Sequence, residues 1–489
     1  MNLLFNELLN RVKEEQNKCC IVADEQLFTY GEFLQDIEVI SEKIKSTTQE
    51  RCIIYMERCY EMFITLWAIM KVGGVYIPID INYTEKHFFQ VLENSKGTKI
   101  LVDEANYIKI EKMVSGYNLE IIIVSSDQLI GVRKRLSYEE CSEDVKQFSY
   151  ILYTSGTTGK PKGTQISYKA LEAFIYGFHE ILLPYDFVTI LAHTSNSFDI
   201  SIVEMIYPMI YGKTVVLCRN SQNVKMIQNL IATYEIDCLQ ITPTLLNLVL
   251  CGKKSRDKLT SIRTLIIGGE AVPKGLIETV RKDMNCTIIN AYGPTESTVW
   301  CSACVIEDKE NISIGNGFGI NKLFLLDSDN HVIQEQNVTG ELCIAGEQLA
   351  VGYVGRKDLT VQAFVDESSI YPERFYRTGD LAFIDENRNF VIKGRIDRQV
   401  KLNGKRLELE EIEEAVRKLE MVQDAVVVVK DSNVGKKIWC YYIADEELSS
   451  EKLTDELKKY LEQWKIPKIF KKIEKIPLTI SGKICRNNL

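Results

Sequence analysis

Residues 149–163 read SYILYTSGTTGKPKG. The segment 149–152 has the pattern of a buried strand, and it leads directly into a loop rich in glycine, serine and threonine. Backbone N–H groups and hydroxyls in such a loop can turn toward an anion, and Lys160 and Lys162 add positive charge. The loop is not the nucleotide loop GxxxxGK[ST], because Pro161 follows Lys160 and Thr154 stands where that motif requires glycine. We therefore predict a phosphate-binding loop of another kind.

Length and composition indicate a folded protein of more than one domain. The chain has 489 residues, of which 45% are hydrophobic and 26% charged, and single cores stop growing at roughly 250 to 300 residues. No apolar run reaches the roughly 18 residues that span a membrane. The net charge of −9 argues against a nucleic-acid partner, and we interpret the basic run at 468–472 as a solvated face.

The cysteines and the N-terminus favour the cytoplasm. The 14 cysteines are scattered, and the N-terminal segment lacks the basic start and apolar core of a signal peptide. We expect free thiols and a cytoplasmic, monomeric protein. Cys301 and Cys304 have metal-ligand spacing, but no second pair completes a zinc site, so we predict none there.

The order of apolar segments predicts an α/β fold. Short strands, at 52–55, 99–102, 189–191 and 264–267, alternate with amphipathic helices, which is typical of βαβ units and parallel sheets. Closely spaced strands between 312 and 392 indicate a small β-barrel-like subdomain. We predict a large N-terminal domain of two βα-layered sheets plus this subdomain, residues 1–396, and a small mobile α+β C-terminal domain, residues 397–489.

Within the small domain, the pattern predicts two helices and two main strands. The helices are expected at 408–418 and 451–463, and the strands at 424–430 and 439–443. The turn around 393–398 is the expected domain boundary.

Seven further motifs stand in order along nearly the whole chain. They are KVGGVYIPID at 71–80, FDIS at 198–201, NAYGPTE at 290–296, GEL at 340–342, YRTGD at 376–380, GRID at 394–397 and PLTISGK at 477–483. With the phosphate loop, this ordered set resembles the acyl-adenylate-forming superfamily, and within it the adenylation domains of nonribosomal peptide synthetases. One motif could arise by chance, but the ordered set is specific.

The resemblance implies an ATP site. The residues that match its ATP contacts are Thr154, Ser155, Gly156, Thr157, Thr158, Gly159, Lys160, Tyr292, Thr295, Asp380 and Arg395. By the same resemblance, Asp380 accepts hydrogen bonds from the ribose hydroxyls, Tyr292 packs on adenine, and Glu296 holds Mg²⁺.

The expected catalytic residues are Lys483, Glu296 and Thr154. In the family, the lysine that Lys483 matches bridges the substrate carboxylate and the phosphate, and Asp397 matches the hinge about which the small domain rotates. Without the resemblance, Lys483 would be interpreted as a solvated lysine near the C-terminus.

By the same resemblance, Asp199 matches the acidic residue that pairs with the ammonium group of an amino acid, which distinguishes amino-acid activators from most fatty-acyl and aryl-acid ligases. The alternative is a buried structural aspartate. The positions that match the family's substrate pocket are Asp199, Ile200, Val203, Gln240, Ile266, Gly268, Ala291, Val299, Trp300 and Lys483. Gln240 and Trp300 are large enough to fill the space that a substrate side chain would occupy, so we predict a small substrate. The set is similar to family pockets associated with glycine, with alanine next and serine or cysteine behind. His193 lies close to this segment and is interpreted either as a substrate contact or as a packed core histidine.

The predicted activity is ATP-dependent amino-acid adenylation, followed by transfer to the phosphopantetheine thiol of a peptidyl carrier protein. No carrier or condensation motif is present in the sequence, so the acceptor is expected on another protein or domain. A D-alanine–carrier protein ligase and an acyl-CoA synthetase of the same superfamily are the alternatives. A catalytically silent ATP-binding scaffold is the alternative from a different class.

Overall fold

The computed structural model describes residues 3–44, 49–125, 148–154, 161–220, 223–251, 256–307, 312–396, 400–402, 405–432 and 435–477. The chain divides into two compact units. The first comprises Met1–Ile81, Leu92–Tyr153 and Gly163–Ile396, and the second comprises Asn82–Val91, Thr154–Lys162 and Asp397–Leu489.

The helices of the described residues are α1 Leu3–Glu15, α2 Tyr30–Ile44, α3 Tyr60–Lys71, α4 Glu85–Ser95, α5 Glu104–Met113, α6 Tyr168–Leu182, α7 Ile200–Ile210, α8 Val224–Thr233, α9 Pro243–Val249, α10 Lys274–Asp283, α11 Lys357–Ala363, α12 Leu409–Arg417 and α13 Ser450–Leu457. Short 3₁₀ turns lie at Asp257–Leu259 and Thr295–Ser297.

The strands are β1 Cys19–Ala23, β2 Gln26–Thr29, β3 Arg51–Tyr55, β4 Val75–Pro78, β5 Lys99–Val102, β6 Glu120–Ile123, β7 Phe148–Thr154, β8 Lys162–Ser167, β9 Thr189–Ala192, β10 Thr214–Leu217, β11 Cys238–Ile241, β12 Thr264–Gly268, β13 Thr287–Tyr292, β14 Ser302–Val305, β15 Lys322–Leu326, β16 Val332–Ile333, β17 Gly340–Ala345, β18 Gly352–Tyr353, β19 Phe364–Val365, β20 Phe375–Ile384, β21 Phe390–Arg395, β22 Val400–Leu402, β23 Lys405–Leu407, β24 Asp424–Ser432, β25 Gly435–Ile443 and β26 Ile469–Lys472.

Two large sheets dominate the first unit. One has the order β14-β13-β12-β11-β9-β10-β1-β2, and the other has the order β18-β8-β7-β4-β3-β5-β6. In the first sheet, the strands from β13 to β1 pair in parallel, while β14 and β2 pair antiparallel at the two edges. Helices between parallel strands cover the sheet faces, so strands such as β4, β11 and β12 are buried along their whole length. The predicted α/β architecture is confirmed.

The β-rich region of the first unit is an antiparallel sheet. It has the order β16-β15-β17-β20-β19, and β21 also pairs with β20. Among the described residues, the strand order does not return on itself, so this region is an open sheet rather than the closed barrel that its many short strands suggested. This sheet contributes Asp380 and Arg395 to the candidate site; the two residues are paired opposite each other in β20 and β21.

The second unit contains the hairpin β22–β23, helices α12 and α13, and the sheet β24-β25-β26. Its apolar core is formed by both helices and one face of the sheet, including Ile412, Val427, Cys440 and Leu453. A buried group of charges lies in the same unit. The Nζ of Lys465 is 2.7 Å from Glu411 and 2.9 Å from Glu462, and His87 Nδ1 is 2.7 Å from Glu462.

Two sequence predictions for the small domain differ from the structure. Helix α13 ends at Leu457 rather than at residue 463, because the chain then turns inward to bury Leu461 and Ile466 and to bring Glu462 and Lys465 into the buried charge group. The basic run at 468–472 is a half-buried strand, β26, which pairs in parallel with β25. The lysines led to the prediction of a solvated face, but the backbone of this segment is hydrogen-bonded to β25.

Candidate active site

The segment that follows β13 carries several of the predicted site residues. It begins at Tyr292, forms the 3₁₀ turn Thr295–Ser297 and reaches Trp300 just before β14. The carboxyl ends of the parallel strands β11, β12 and β13 meet at the same edge of the sheet, which is where ligand sites of such sheets form. The structure therefore places one end of the proposed nucleotide site and one wall of the proposed substrate pocket on a single stretch of chain.

The proposed ribose-binding carboxylate is held from two sides. Asp380 is 8% exposed; Arg395 Nη1 donates to its Oδ1 at 2.6 Å, and the hydroxyl of Tyr292 donates to its Oδ2. Burial, and then the negative charge of Asp380, raise the pKa of Tyr292, so the phenol keeps its proton. A carboxylate has about four lone-pair positions, so two remain for hydroxyl donors of a ligand. The contact of Tyr292 with Asp380 was not foreseen, because the resemblance assigned its ring to adenine.

The carboxylate of Glu296 is buried at 1% exposure. The hydroxyl of Tyr353, in β18, donates to its Oε1 at 2.7 Å, and the backbone N–H of Ala350 donates to the carbonyl oxygen of Glu296 at 2.8 Å. These bonds fix the position of a single buried carboxylate. A hard cation that takes one carboxylate and completes its shell with phosphate oxygens and water would fit this donor.

The predicted pocket residues lie together on neighbouring strand ends. Gln240 is paired with Ile266 across β11 and β12, and Gly268 is paired with Ala291 across β12 and β13. Side chains at paired positions point to the same face of a sheet. Of the other predicted pocket residues, Ile200, Val203, Val299 and Trp300 are also buried, Asp199 is partly buried, and Lys483 lies outside the described residues.

The indole of Trp300 is held firmly within this group. Its Nε1 donates to Gln240 Oε1 at 3.1 Å, and Gln240 Nε2 donates to the carbonyl oxygen of Ile200 at 3.0 Å. A Cβ added to Gly268 would lie 2.7 Å from Trp300 Cη2 and 2.5 Å from the carbonyl oxygen of Ala291. Gly268 therefore leaves room for the indole rather than for an open cavity.

Asp199 lies immediately before α7 and is partly buried. Its negative charge, after burial, raises the pKa of Tyr150, a fully buried residue of β7. The hydroxyl of Tyr150 has no hydrogen-bond partner among the described residues. Asp199 thus lies near a phenol that sequence analysis did not single out.

Some predicted residues lie outside the described part of the chain. These are Ser155, Gly156, Thr157, Thr158, Gly159, Lys160, Asp397 and Lys483. Thr154 is the last residue of β7, and its buried Oγ1 has no hydrogen-bond partner within the described ranges. Thr295 opens the 3₁₀ turn that carries Glu296.

His193 is 3% exposed, and its Nε2 lies 2.7 Å from the carbonyl oxygen of Gln240. A carbonyl oxygen only accepts, so Nε2 carries the proton. Burial lowers the pKa of His193. These contacts favour the packed core histidine over the substrate contact, the two interpretations that the sequence left open.

The described residues contain one other group that could bind a metal. Asp327, Asp329 and His331 lie on the turn between β15 and β16, and two of the three are exposed. In the described part of the chain, no helix is long and apolar enough to cross a membrane.

Comparison with known families covers most of the chain. Residues 8–354 match the family described as AMP-binding enzyme, and residues 411–483 match the family described as AMP-binding enzyme C-terminal domain. The chain is 31% identical to gramicidin S synthase 2 of Brevibacillus brevis, over 99% of this chain and 11% of that synthase. The chain spans less than half the length of the curated relatives that it matches, 44% in the case of gramicidin S synthase 1 of the same organism.

Two solved structures have the same fold. A Vibrio cholerae adenylation domain in complex with glycyl-adenosine-5'-phosphate superposes with a TM-score of 0.87 at 22% identity, over 98% of this chain and 95% of that one. A four-domain nonribosomal peptide synthetase bound to AMP and glycine superposes with a TM-score of 0.70 at 28% identity, over 99% of this chain and 36% of that one.

Proposed function

Because this chain belongs to the family of AMP-binding enzymes and resembles the adenylation domains of nonribosomal peptide synthetases, we propose that it activates a small amino acid, glycine first, as the aminoacyl adenylate. It then transfers the aminoacyl group to the phosphopantetheine thiol of a carrier protein. The observation that carries the choice of substrate is the buried indole of Trp300, bonded to Gln240 and packed on Gly268.

The proposed first step joins two anions. A carboxylate oxygen of the amino acid attacks the α-phosphorus of ATP, a new P–O bond forms, and the bond to pyrophosphate breaks. No side-chain nucleophile is needed, so alignment and charge neutralisation supply the catalysis. In the second step the carrier thiol attacks the acyl carbon, loses its proton and displaces AMP.

We assign the nucleotide to the group around Asp380. Its two remaining lone-pair positions would accept from the ribose hydroxyls, while Arg395 and Tyr292 keep the carboxylate in place. Lys483 would stabilise the negative charge that develops between the substrate carboxylate and the phosphate.

Glu296 is the residue proposed to hold Mg²⁺. When bound there, the ion would neutralise phosphate charge. The hydroxyl of Tyr353 keeps the carboxylate oriented, and the hydroxyls of Thr154 and Thr295 are proposed to contact phosphate oxygens.

Asp199 is proposed to pair with the ammonium group of the substrate. The space beyond the α-carbon would be filled by Trp300, which favours glycine and tolerates alanine. Because the solved relatives described above include one bound to glycine and one bound to a glycyl adenylate, a glycine pocket is compatible with this fold. A pocket distinguishes one methyl group by only about 1 to 3 kcal/mol, so we expect a preference over alanine rather than exclusion.

The test is amino-acid-dependent exchange of pyrophosphate into ATP, measured with all standard amino acids and D-alanine. We expect the highest kcat/KM with glycine, and loss of exchange in Lys483→Ala and Asp199→Ala with folding intact. Asp186→Ala, at an exposed aspartate, is the matched control. A strong preference for a large aromatic amino acid would overturn the pocket assignment, and no exchange with any acid would favour a silent ATP-binding protein.

The acceptor is tested separately. The adenylated enzyme is incubated with a phosphopantetheine-loaded carrier protein or with coenzyme A, and thioester formation is followed by mass spectrometry. We expect acylation of the carrier. Efficient acylation of coenzyme A would favour the acyl-CoA synthetase, and a preference for D-alanine in the exchange assay would favour the D-alanine ligase.

A further inference from the structure

Two consecutive residues of the active-site segment have a backbone conformation that their side chains disfavour. Thr298 has φ +59° and Val299 has φ +68°. Left-handed backbone is unfavourable for residues with a branched Cβ, and two in a row are not expected from local preferences. Surrounding structure must therefore impose this conformation.

Gln348 is bonded to the segment at Thr298 and at Trp300, on either side of Val299. It is fully buried; its carbonyl oxygen accepts from Thr298 Oγ1 at 2.5 Å, and its Nε2 donates to the carbonyl oxygen of Trp300 at 3.0 Å. One residue, which lies far away in the sequence, therefore makes a hydrogen bond on each side of Val299.

The orientation of the Gln348 amide is itself determined. The carbonyl oxygen of Trp300 only accepts, so the end of the Gln348 amide that faces it must be Nε2; Oε1 then faces Asn321, whose Nδ2 donates to it. Asn321 is also buried. The chain Asn321 to Gln348 to Trp300 is a directional hydrogen-bond relay that ends at the backbone of the proposed pocket wall.

Different groups locate the side chain and the main chain of Trp300. Its indole is bonded to Gln240, its tip packs on Gly268, and a Cβ added to Gly293 would lie 2.7 Å from its Cα. The side chain is therefore located by Gln240 and Gly268, and the main chain by Gln348. A shift of the carbonyl at 300 would rotate the indole relative to the substrate.

We propose that Gln348 is a positioning residue that holds the Thr298–Trp300 segment in its strained conformation and thereby sets the amino-acid selectivity of the site. The selectivity part rests on the proposed function, in which Trp300 forms the wall of the amino-acid pocket. The positioning part concerns only the location of Trp300, so it can be tested without measuring enzyme activity.

The experiment compares Gln348→Met with Gln228→Met. Methionine keeps the size of glutamine but removes the amide. Gln228 is the matched control, because it is 5% exposed and its Nε2 donates to the carbonyl oxygen of Val249 at 2.8 Å, away from the pocket segment. In both variants kcat/KM is measured by pyrophosphate exchange with glycine and with alanine on the same preparation.

The ratio of the two kcat/KM values does not depend on the fraction of active enzyme, so a merely structural defect leaves it unchanged. We expect the glycine-to-alanine ratio to fall about tenfold in Gln348→Met, mainly through KM for the amino acid, and to stay at the wild-type value in Gln228→Met. An unchanged ratio in folded Gln348→Met would overturn the proposal.

A second measurement is independent of activity. The protein is labelled with 5-fluorotryptophan, and the ¹⁹F resonance of Trp300 is assigned with Trp300→Phe. We expect this resonance to shift in Gln348→Met. We also expect a shift in Asn321→Asp, because this substitution replaces the donor to Gln348 Oε1 by an acceptor and so reverses the Gln348 amide. The second variant is used if Gln348→Met does not fold. A resonance that stays in place in these variants would overturn the proposal. A shifted resonance in an enzyme with no exchange activity would support the positioning role and count against the proposed function.

Discussion

At the scale of single residues, the most informative side chain is a buried histidine. His193 donates through Nε2 to Gln240, and its Nδ1 has no hydrogen-bond partner among the described residues. Burial is the largest influence on its pKa and lowers it, although the charge of Glu204 acts in the opposite direction. The folded protein therefore keeps His193 neutral at pH values where the unfolded chain binds a proton.

The sign of the resulting pH dependence follows from linkage. The ordinary pKa is 6.5 and the folded value is lower, so stability is full above pH 6.5 and declines as the pH falls toward the folded value. In His193→Gln, whose amide can still donate to Gln240, we expect the free energy of unfolding to depend less on pH below pH 6.5, by up to about 1.4 kcal/mol per pH unit. Urea unfolding at several pH values measures this.

The matched control for that prediction is His331→Gln, because the side chain of His331 is 78% exposed. His331 lies 3.4 Å from Asp327 in an exposed ion pair, which solvent screens, so this substitution should change the acid dependence of stability much less than His193→Gln does. If His193→Gln and the wild-type protein lose stability in parallel below pH 6.5, His193 is not the group responsible.

A second residue-scale prediction concerns Tyr353, whose hydroxyl donates to Glu296. Tyr353→Phe removes this donor but keeps the buried ring. A hydrogen bond to a charged group contributes about 1.5 to 3 kcal/mol, so we expect kcat/KM for Mg²⁺-ATP to fall by at least about tenfold, with little change in KM for the amino acid. Steady-state kinetics at varied ATP and Mg²⁺ test this.

Tyr176→Phe provides the comparison, because Tyr176 is 37% exposed on α6. It should retain wild-type kinetics. Equal effects of the two substitutions on KM for ATP, or none in either, would contradict an orienting role for Tyr353.

At the scale of elements, the turn between β13 and β14 depends on a glycine. A Cβ at position 293 would lie 2.2 Å from the carbonyl oxygen of Val299 and 2.7 Å from the Cα of Trp300. Both are backbone atoms, so no side-chain rotation relieves the clash. The two sides of this turn can approach only because position 293 lacks a side chain.

We expect Gly293→Ala to destabilise the protein by about 1 to 3 kcal/mol or more and to abolish pyrophosphate exchange, because Glu296 and Trp300 lie on the displaced turn. Gly275→Ala is the control: nothing lies within 4 Å of a Cβ at that helical position in α10, so it should stabilise by about 0.5 to 1 kcal/mol. Thermal and chemical unfolding of both variants give the comparison. Normal activity in Gly293→Ala would mean that the turn tolerates displacement.

At the scale of the whole molecule, the proposed function predicts ligand-linked stability. By that proposal, a stable analogue of glycyl adenylate would bind both to the group around Asp380 and in the proposed amino-acid pocket. At a concentration 100 times its Kd it should stabilise the folded protein by about 2.7 kcal/mol. Thermal unfolding with analogues of the glycyl, alanyl and phenylalanyl adenylates should give a stabilisation that decreases in that order.

Asp380→Ala should weaken binding of all three analogues alike, because that residue is proposed to bind the shared ribose. Trp300→Ala should instead favour the larger aminoacyl groups. A phenylalanyl analogue that stabilises the wild-type protein as well as the glycyl analogue does would refute a pocket limited by Trp300.

The elements that were predicted correctly from the sequence are those that local residue patterns determine. The strand that leads into the phosphate loop is β7, the strands expected at 52–55, 99–102, 189–191 and 264–267 are β3, β5, β9 and β12, and the parallel sheets are confirmed. Apolar periodicity predicts these elements because burial of each strand is a property of its own residues. The end of α13 and the strand β26 were not predicted, because both depend on contacts with other segments of the folded chain: the buried charge group in one case and β25 in the other.

The predicted phosphate loop, the ordered motifs and the charge of the chain can be read from the sequence alone, and they indicate the adenylate-forming family and the candidate residues. Only the tertiary structure decided how the Thr298–Trp300 segment, the proposed wall of the amino-acid pocket, is held. Gln348 and Tyr353 lie 48 and 57 residues from the groups they contact, and no local pattern marks them. The left-handed backbone at Thr298 and Val299 is disfavoured by the local preferences of both residues, so no local pattern predicts it and it becomes visible only in the folded chain.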